Sequence, residues 1–329
     1  MILVRAPLRV SFFGGGTDAA PHYTRFGGAV LSTAIDKYMY IAVNKTPINH
    51  VKLMYSEIEL VDDYQKIKHD IVRNAIRYHG KKHQSGLEIS SFADIPTVGT
   101  GLGSSSTFSV AMIHALSVMN GFHLSKNSIA DAACDLEINK CASPIGKQDQ
   151  YASAFGGMNY IRFNKDHSVN VEPVYAEPIQ DGTGLWQNLL LFYTGRTRFA
   201  NNILAKQNGE PKHDVMCELK AQADQGLKHV INAEYDDFGY LLNDAWRLKV
   251  KMADGISDPE IDAHYTAAID AGAYGGKILG AGGGGYFLFY APLINQTNVI
   301  ETLQSRGLQH VSFNFSKTGV ETLYSDIRY

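Results

Sequence analysis

Residues 96–107, which read PTVGTGLGSSST, combine backbone freedom with hydroxyl groups just before a helix pattern. Gly99, Gly101 and Gly103 alternate along the stretch, and Ser104 begins a run of three serines and a threonine. Glycine admits positive φ angles and lets backbone N–H groups approach a ligand closely. A helix start adds unpaired N–H groups and a positive dipole end. The stretch therefore predicts an anion site, most often for phosphate; a glycine turn followed by serine helix caps is the simpler alternative.

Two well-known phosphate-binding loops do not match this stretch. The P-loop needs Gly-Lys followed by Ser or Thr, and the chain contains neither tripeptide. The dinucleotide-binding fingerprint needs a third glycine where this chain has Ser106, and no strand ending in an acidic residue follows about twenty positions later. A nicotinamide-dependent enzyme is therefore the weaker interpretation. The hydroxyl groups of the stretch can instead bond phosphate oxygens or ligate Mg²⁺.

Two further glycine clusters lie near the ends of the chain, at residues 14–16 and at residues 280–285, which read GAGGGG. Each cluster stands beside a strand pattern. Three clusters so far apart in sequence predict three loops that meet at one ligand, and three unrelated turns are the alternative. We expect the GAGGGG stretch to pass close to the central glycine loop, whereas the neighbouring Lys277 is interpreted as a solvated flank.

Length and composition are those of an ordinary globular chain. Its 329 residues suit two domains, and we predict an N-terminal domain of residues 1–180 and a C-terminal domain of residues 181–329. A formal net charge of −3 argues against nucleic acid or an anionic membrane as the main partner. No apolar run approaches the roughly 18 residues of a membrane span, and the three cysteines lack metal spacing, so we expect a cytoplasmic protein.

The order of strand and helix patterns predicts a mixed α/β fold. Strand patterns occupy LVRAPLRVSFF, AVLSTAIDKYMYIAVN, LEISSFADI, NVEPVYAEPI, LLLFYTG and both sides of the GAGGGG turn. Helix patterns occupy residues 63–80, 104–120 and 126–141, and almost all of residues 211–272. The end of the chain reads as strand, glycine turn, strand, helix and strand.

Three long stretches together resemble one protein family. The N-terminal, central and C-terminal motifs of the GHMP kinases are similar to APLRVSFFGGGTD, PTVGTGLGSSST and KILGAGGGGYFLF, in that order. This superfamily contains galactokinase, homoserine kinase, mevalonate kinase and phosphomevalonate kinase. The resemblance implies an N-terminal domain of the ribosomal protein S5 domain 2 type and a ferredoxin-like C-terminal domain, with ATP and sugar between them.

Within this superfamily the chain resembles the branch of D-glycero-D-manno-heptose 7-phosphate kinases, through SFFGGGTD, GGAVLSTAIDKY, GTGLGSSS, GKQDQYASAFGGMNYIRFN and LFYTGRTR. The similarity implies ATP- and Mg²⁺-dependent phosphorylation of the C1 hydroxyl of the heptose 7-phosphate, which would feed nucleotide-activated heptose and surface polysaccharide synthesis. Another anomeric sugar kinase, such as a fucokinase, is the first alternative. A catalytically inactive sugar- or nucleotide-binding regulator is the second. A monomer or a homodimer is expected.

The resemblance also implies roles for individual residues. Ser105 and Glu137 match the family's magnesium ligands, Asp149 matches the aspartate beside the accepting hydroxyl, and a catalytic basic residue falls on Arg9. The sugar is expected at Gly15, Gly16, Thr17 and Asp18. Galactokinases carry Glu-His where this chain has two glycines, which argues against galactose. ATP is expected along the central loop, at Gly99, Thr100, Gly101, Leu102, Gly103, Ser104, Ser105, Ser106 and Thr107.

Elementary chemistry supports the same residues. Mg²⁺ prefers oxygen ligands and needs only a few from the protein. A hydroxyl that loses its proton needs an acceptor such as Asp149, and Arg9 can keep that carboxylate ionised. Taken singly, Arg9 can be a surface ion-pair partner, Glu137 a solvated helix residue and Asp149 an ordinary acid in a first helical turn. Their joint spacing favours function.

A substrate with a 7-phosphate needs a cation at a distance from the reacting hydroxyl. Lys147 lies two residues before Asp149, and Arg196 and Arg198 follow the strand pattern LLLFYTG. An arginine fork suits a terminal phosphate. We expect at least one of the three cations to bind it, with solvated surface positions as the alternative. The twelve histidines show no metal-binding spacing.

Overall fold

The computed structural model describes residues 1–80, 84–96, 99–178, 183–196 and 212–326, which form two β-sheets covered by helices. The strands are β1 (Ile2–Phe13), β2 (Gly28–Lys45), β3 (Val51–Met54), β4 (Ile58–Val61), β5 (Leu87–Ala93), β6 (Met158–Phe163), β7 (Val169–Val174), β8 (Leu189–Tyr193), β9 (Gly275–Ile278), β10 (Tyr286–Tyr290), β11 (Gln309–Val311) and β12 (Glu321–Ser325). The helices are α1 (Ala20–Phe26), α2 (Asp70–His79), α3 (Ser104–Met119), α4 (Lys126–Cys134), α5 (Gln148–Phe155), α6 (His213–Ile231), α7 (Tyr235–Val250), α8 (Pro259–Asp270) and α9 (Leu293–Ser305).

The first sheet contains eight strands and is organised around β2. Its main order is β12-β1-β2-β5-β3-β4, and β6 joins β2 to β7. The strand β2 has 18 residues, so its first part pairs with β6 and its second part pairs with β5. Apolar residues of α2, α3, α4 and α5 pack on one face of this sheet to form the first core cluster.

The second sheet contains four antiparallel strands in the order β11-β8-β10-β9. Along the chain, the helices α6 to α8 lie between β8 and β9, and α9 lies between β10 and β11. This β-α-β-β-α-β arrangement is the ferredoxin-like topology, so the fold predicted for the C-terminal half is confirmed. Across the described residues, no helix has the length and apolar character needed to cross a bilayer.

The two sheets share a core. Leu8, Val10 and Phe12 of β1 belong to the same buried cluster as Leu242 of α7 and Leu288 of β10. In addition, β12 comes from the end of the chain and pairs with β1 in the first sheet. We propose that the boundary between the domains lies near residue 180, between β7 and β8, with β12 returning across it.

Strand alternation in β1 places two polar side chains in the site. Leu8, Val10 and Phe12 point into the shared core, so successive residues between them point to the opposite face. Arg9 and Ser11 therefore line the cavity between the two halves of the chain.

Two predicted helices differ from the observed ones. The pattern over residues 63–80 contains a short 3₁₀ turn, Tyr64–Lys66, and α2 begins only at Asp70. The buried carboxylate of Glu59 accepts hydrogen bonds from the backbone N–H groups of Lys68 and His69, which diverts this segment from helical bonding. The pattern over residues 126–141 is α-helical only to Cys134 and continues as a π-helix, Asp135–Lys140.

The central glycine loop and the GAGGGG turn touch through their backbones. A Cβ atom placed on Gly101 would lie 2.4 Å from the carbonyl oxygen of Leu279, and one on Gly280 would lie 2.5 Å from the Cα of Gly101. A Cβ on Gly285 would lie 2.4 Å from the carbonyl oxygen of Thr100. The expected approach of the two loops is confirmed, and it leaves no room for a side chain.

Gly101→Ala should therefore destabilise the protein more than Gly121→Ala. Both glycines have positive φ angles, of 78° and 75°, but Gly121 has nothing within 4 Å of the added methyl group. Gly121→Ala should cost about 1–2 kcal/mol for the left-handed backbone alone. Gly101→Ala should cost roughly a further 1–3 kcal/mol because the methyl group forces the loops apart. Chemical denaturation of both variants measures the difference, and equal losses would contradict the contact.

Candidate active site

A cavity of about 680 Å³ lies between the two halves of the chain. All three glycine clusters contribute to its lining, which confirms that they meet at one site. The N-terminus of α3 and the residues before α5 also line it. One group of lining side chains is aromatic and comes from the first sheet and its neighbours: Tyr55, His69, Phe92 and Phe108.

The central loop presents its backbone to this cavity. Gly99, Gly101 and Gly103 have φ angles of 65°, 78° and 77°, and α3 begins directly after Gly103 without a side-chain cap. The first-turn N–H groups of such a helix have no intrahelical partners and attract anions. Seven of the nine residues predicted to bind ATP line the cavity, namely Gly99, Thr100, Gly101, Gly103, Ser104, Ser105 and Ser106.

The other two predicted residues of this loop support it from behind. The side chain of Leu102 is fully buried in the shared core, and its carbonyl oxygen accepts a hydrogen bond from the Arg9 N–H at 3.1 Å. Thr107 is also fully buried, and its hydroxyl group donates to the carbonyl oxygen of Pro7. Their side chains hold the loop against β1.

Glu137 is a buried carboxylate held at the cavity wall by two donors. Ser105 Oγ donates to its Oε1 at 2.9 Å, and Gln150 Nε2 donates to its Oε2 at 2.7 Å. The π-helix that follows α4 carries Glu137, a helix type that often occurs at functional sites. Burial raises the pKa of Glu137 to about 7, although hydrogen bonds from Ser105 and Gln150 oppose the rise. Ser105 and Glu137 thus present adjacent oxygens, the ligand type that Mg²⁺ prefers.

Arg9 and Asp149 form a bidentate ion pair in the lining of the cavity. Arg9 Nε donates to Asp149 Oδ1 and Nη2 donates to Oδ2, both at 2.7 Å. The remaining nitrogen, Nη1, donates to the carbonyl oxygen of Gly101 at 2.7 Å, which ties the pair to the central loop. Asp149 Oδ2 lies only 3.1 Å from the position of a Cβ on Gly103. The carboxylate therefore stands directly beside the start of α3.

Asp18 is a second buried acid, positioned by backbone and amide donors. Its Oδ1 accepts from the N–H of Gly16 at 3.0 Å and from Gln148 Nε2 at 3.1 Å, and its Oδ2 accepts from the N–H of Gln148 at 3.0 Å. Burial raises the pKa of Asp18, and the neighbouring charge of Asp149 acts in the same direction. A Cβ at Gly146 would lie 1.9 Å from Asp18 Oδ2, so this position requires glycine.

The residues of the N-terminal glycine loop have two different roles. Gly15 and Gly16 line the cavity beside Asp18. The Thr17 hydroxyl group is fully buried, where it donates to the carbonyl oxygen of Gly14 at 2.7 Å and accepts from the N–H of Ala29 at 3.1 Å. Thr17 therefore holds the shape of the loop, while the two glycines and Asp18 face the cavity.

Of the three cations predicted to bind a sugar phosphate, the two that the structure describes lie outside the cavity lining. Lys147 donates to the carbonyl oxygen of His167 at 3.0 Å and lies over the ring of Tyr23. Arg196 forms ion pairs with Asp258 and Glu260 at 2.7 and 2.8 Å. Neither belongs to the cavity lining. Arg198 lies outside the described residues, so its role stays a prediction.

Two lysines in the lining were missed or misread by sequence reasoning. Lys277, interpreted as a solvated flank, is only 5% exposed, and its Nζ donates to the carbonyl oxygen of Phe12 at 2.7 Å. That interpretation is wrong, because β9 is buried on both faces. Lys249 is 8% exposed at the end of α7. The glycines on both sides of Lys277 were the sequence signal that could have indicated its burial. Nothing in the pattern of α7 indicated that Lys249 is buried at the cavity.

The family models agree with this geometry. The model of the GHMP kinases N terminal domain matches residues 69–157, and the model of the GHMP kinases C terminal region matches residues 229–307. The first match contains the central loop, Glu137 and Asp149, and the second contains both buried lysines and the GAGGGG turn. The chain belongs to the GHMP kinases.

Two curated relatives and one solved structure show which kinases this chain is similar to. The D-glycero-alpha-D-manno-heptose 7-phosphate kinase of Campylobacter jejuni is 29% identical over 98% of this chain and 98% of its own length. The bifunctional fucokinase/GDP-fucose pyrophosphorylase of Arabidopsis thaliana is 26% identical over 94% of this chain, which spans 31% of that protein. Among solved structures, a D-glycero-D-manno-heptose 1-phosphate kinase of Bacteroides thetaiotaomicron superposes with a TM-score of 0.79 at 23% identity, covering 99% of this chain and all of that one.

Glu137→Gln should stabilise the metal-free protein by an amount that grows with pH. Because burial raises the pKa of Glu137 from 4.5 to about 7, the folded state keeps a proton that the unfolded chain releases. The charged carboxylate therefore costs increasing stability as pH rises from about 4.5 to 7, and glutamine removes that cost. Thermal unfolding at pH 5 and pH 8 measures the gap in stability between Glu137→Gln and the wild-type protein, with the exposed Glu301→Gln as control. A gap that does not change with pH would contradict the burial of this charge.

Proposed function

We propose that this GHMP kinase transfers the γ-phosphoryl group of ATP to a sugar hydroxyl that Asp149 orients and deprotonates. The observation that carries the proposal is the Arg9–Asp149 pair, closed by two hydrogen bonds of 2.7 Å beside the N-terminus of α3. Phosphoryl transfer depends mainly on positioning and charge stabilisation. A carboxylate fixed next to an anion-binding helix end meets both needs.

Each element of the site has a proposed task. The central loop and the first turn of α3 bind the phosphates of ATP through backbone N–H groups. The aromatic group of Tyr55, His69, Phe92 and Phe108 supplies flat apolar surface of the kind that a nucleotide base contacts. Arg9 holds both oxygens of Asp149 and stands close enough to the central loop to offset charge on the transferring group.

Mg²⁺ fits the oxygens of Ser105 and Glu137, and we propose them as its protein ligands. When bound, Mg²⁺ would neutralise charge on the phosphates. Gln150 holds the second oxygen of Glu137 and so fixes the direction of the first. Loss of a proton from Glu137 prepares this site, because the metal binds the carboxylate form.

We propose a heptose 7-phosphate as the acceptor, phosphorylated at its C1 hydroxyl. The support is the full-length similarity to the Campylobacter jejuni kinase, whose name specifies this sugar. Asp18, Gly15 and Gly16 lie near Asp149 and offer the place for sugar hydroxyl groups. A fucokinase is the second candidate, supported by the similarity to the Arabidopsis enzyme. The intact pair of Arg9 and Asp149 favours a catalytic protein over an inactive regulator.

A coupled ADP-release assay over a panel of sugars tests the substrate. The wild-type protein should use heptose 7-phosphate with a kcat/KM at least roughly tenfold above that for unphosphorylated heptose, because one charge-assisted contact is worth about 1.5–3 kcal/mol. L-Fucose and galactose should be poorer still. Equal use of the two heptoses would exclude a role for the 7-phosphate, and a preference for L-fucose would establish the second candidate.

Asp149→Asn should lower kcat by roughly a hundred- to ten-thousand-fold, the usual contribution of a positioned acid–base group. Arg9 can still donate to the amide oxygen, so the fold and the binding of ATP should remain. Single-turnover kinetics measure the first effect and nucleotide titration the second. Asp254→Asn, at an exposed position, is the matched control. A kcat within a few-fold of wild type would remove Asp149 from the chemistry.

A further inference from the structure

Lys249 and Lys277 line the cavity as buried cations whose hydrogen bonds, in the described part of the chain, go to backbone carbonyls. Lys249 Nζ donates to the carbonyl oxygens of Ile278 at 2.9 Å and Gly280 at 2.5 Å. Lys277 Nζ donates to that of Phe12 at 2.7 Å. A carbonyl satisfies one proton of an ammonium group but does not neutralise its charge. An anionic ligand would do so.

The surroundings of both lysines are electrostatically unfavourable without such a ligand. Burial, together with the positive charge of Arg9, lowers the pKa of Lys277 to about 7. Burial likewise holds the pKa of Lys249 well below its ordinary value, and Lys277 and Arg9 add to the effect. Asp149 forms its ion pair with Arg9, and among the described contacts no hydrogen bond joins it to either lysine. Isolated buried ammonium groups are costly, so their presence in a ligand cavity calls for a reason.

Lys277 and the segment that carries Lys249 both lie next to the N-terminal glycine loop. Lys277 bonds to Phe12, which is two residues before this loop begins. Lys249 is followed three residues later by Met252, whose Cε lies 2.9 Å from the position of a Cβ on Gly16. The same loop carries Asp18, the proposed sugar contact. The two ammonium groups therefore share the part of the lining formed by β9 and the GAGGGG turn, next to the segment that leads into the N-terminal glycine loop.

We propose that Lys249 and Lys277 bind the phosphate group that the acceptor sugar carries away from its reacting hydroxyl. The proposal rests on the proposed function. Two ammonium groups offer donors and charge that match a phosphate dianion. Lys147 and Arg196 are less suited, because each already has partners outside the cavity lining. A phosphate of the nucleotide has the same chemistry, so the experiment must separate the two sources.

The test compares Lys249→Gln and Lys277→Gln, which remove the charge but keep a donor for the carbonyl groups. Each should lower kcat/KM for heptose 7-phosphate by about 10- to 100-fold, the worth of a charge-assisted contact. The kcat/KM for unphosphorylated heptose should stay within a few-fold of wild type, and so should the affinity for ADP. Lys251→Gln, at an exposed lysine two residues from Lys249, is the matched control.

The alternatives give different results. Equal losses on both sugars would show a structural role, and weaker ADP or ATP binding with unchanged sugar preference would assign the lysines to the nucleotide. Either result overturns the proposal. It is also overturned if Arg198→Ala loses the preference for heptose 7-phosphate over unphosphorylated heptose while the lysine variants keep it.

A binding measurement separates this proposal from the proposed function. Inorganic phosphate is titrated calorimetrically into protein saturated with Mg²⁺ and a non-hydrolysable ATP analogue, which fills the nucleotide phosphate positions. Binding to wild type that is lost in the Lys249→Gln/Lys277→Gln double variant supports the site even where heptose 7-phosphate is not a substrate. If phosphate does not bind to the wild-type protein, or binds equally well to the double variant, the site is overturned even where the kinase activity stands.

Discussion

The backbone contact between the central glycine loop and the GAGGGG turn is the constraint on which the rest of the site depends. It brings Gly101 against Leu279 and Gly280 at distances that no side chain could tolerate. Arg9 then bonds to the same loop twice, through its backbone N–H and its Nη1. Because Arg9 also fixes Asp149, the loop contact sets the position of the carboxylate relative to α3. A local packing condition thus determines the geometry of the proposed chemistry.

Burial of charge is the second organising feature, and it acts in opposite directions on acids and bases. It raises the pKa values of Glu137 and Asp18 and lowers those of Lys249 and Lys277. Groups held in this way interact strongly with a charged ligand, because little water screens them. They are also fixed before the ligand arrives, which is how enzymes stabilise developing charge. The site gives up stability in the free protein for complementarity to its ligands.

Membership of the GHMP kinases accounts for the central glycine loop and the GAGGGG turn, and we propose that substrate choice depends on other residues. Gly15, Gly16 and the two buried lysines line the cavity, and we propose that they contact the acceptor sugar. Two relatives of similar identity are named for different sugars, heptose 7-phosphate and fucose. The discriminating chemistry is therefore expected in the charge balance of this part of the cavity, since fucose carries no phosphate.

The sequence by itself determined the glycine loops and the family, because these depend on short-range backbone demands and on motif spacing. It also predicted that Arg9, Ser105, Glu137 and Asp149 belong to one site, and all four line the same cavity. It also predicted the strands β1, β2 and β5 and the helix α3. Only the tertiary structure showed that Lys277 is buried, that Lys249 joins it, and that Arg196 is bound to Asp258 and Glu260. Burial and pairing depend on which elements pack together across long sequence separations, and a lysine in a strand or helix pattern carries no local sign of what will cover it.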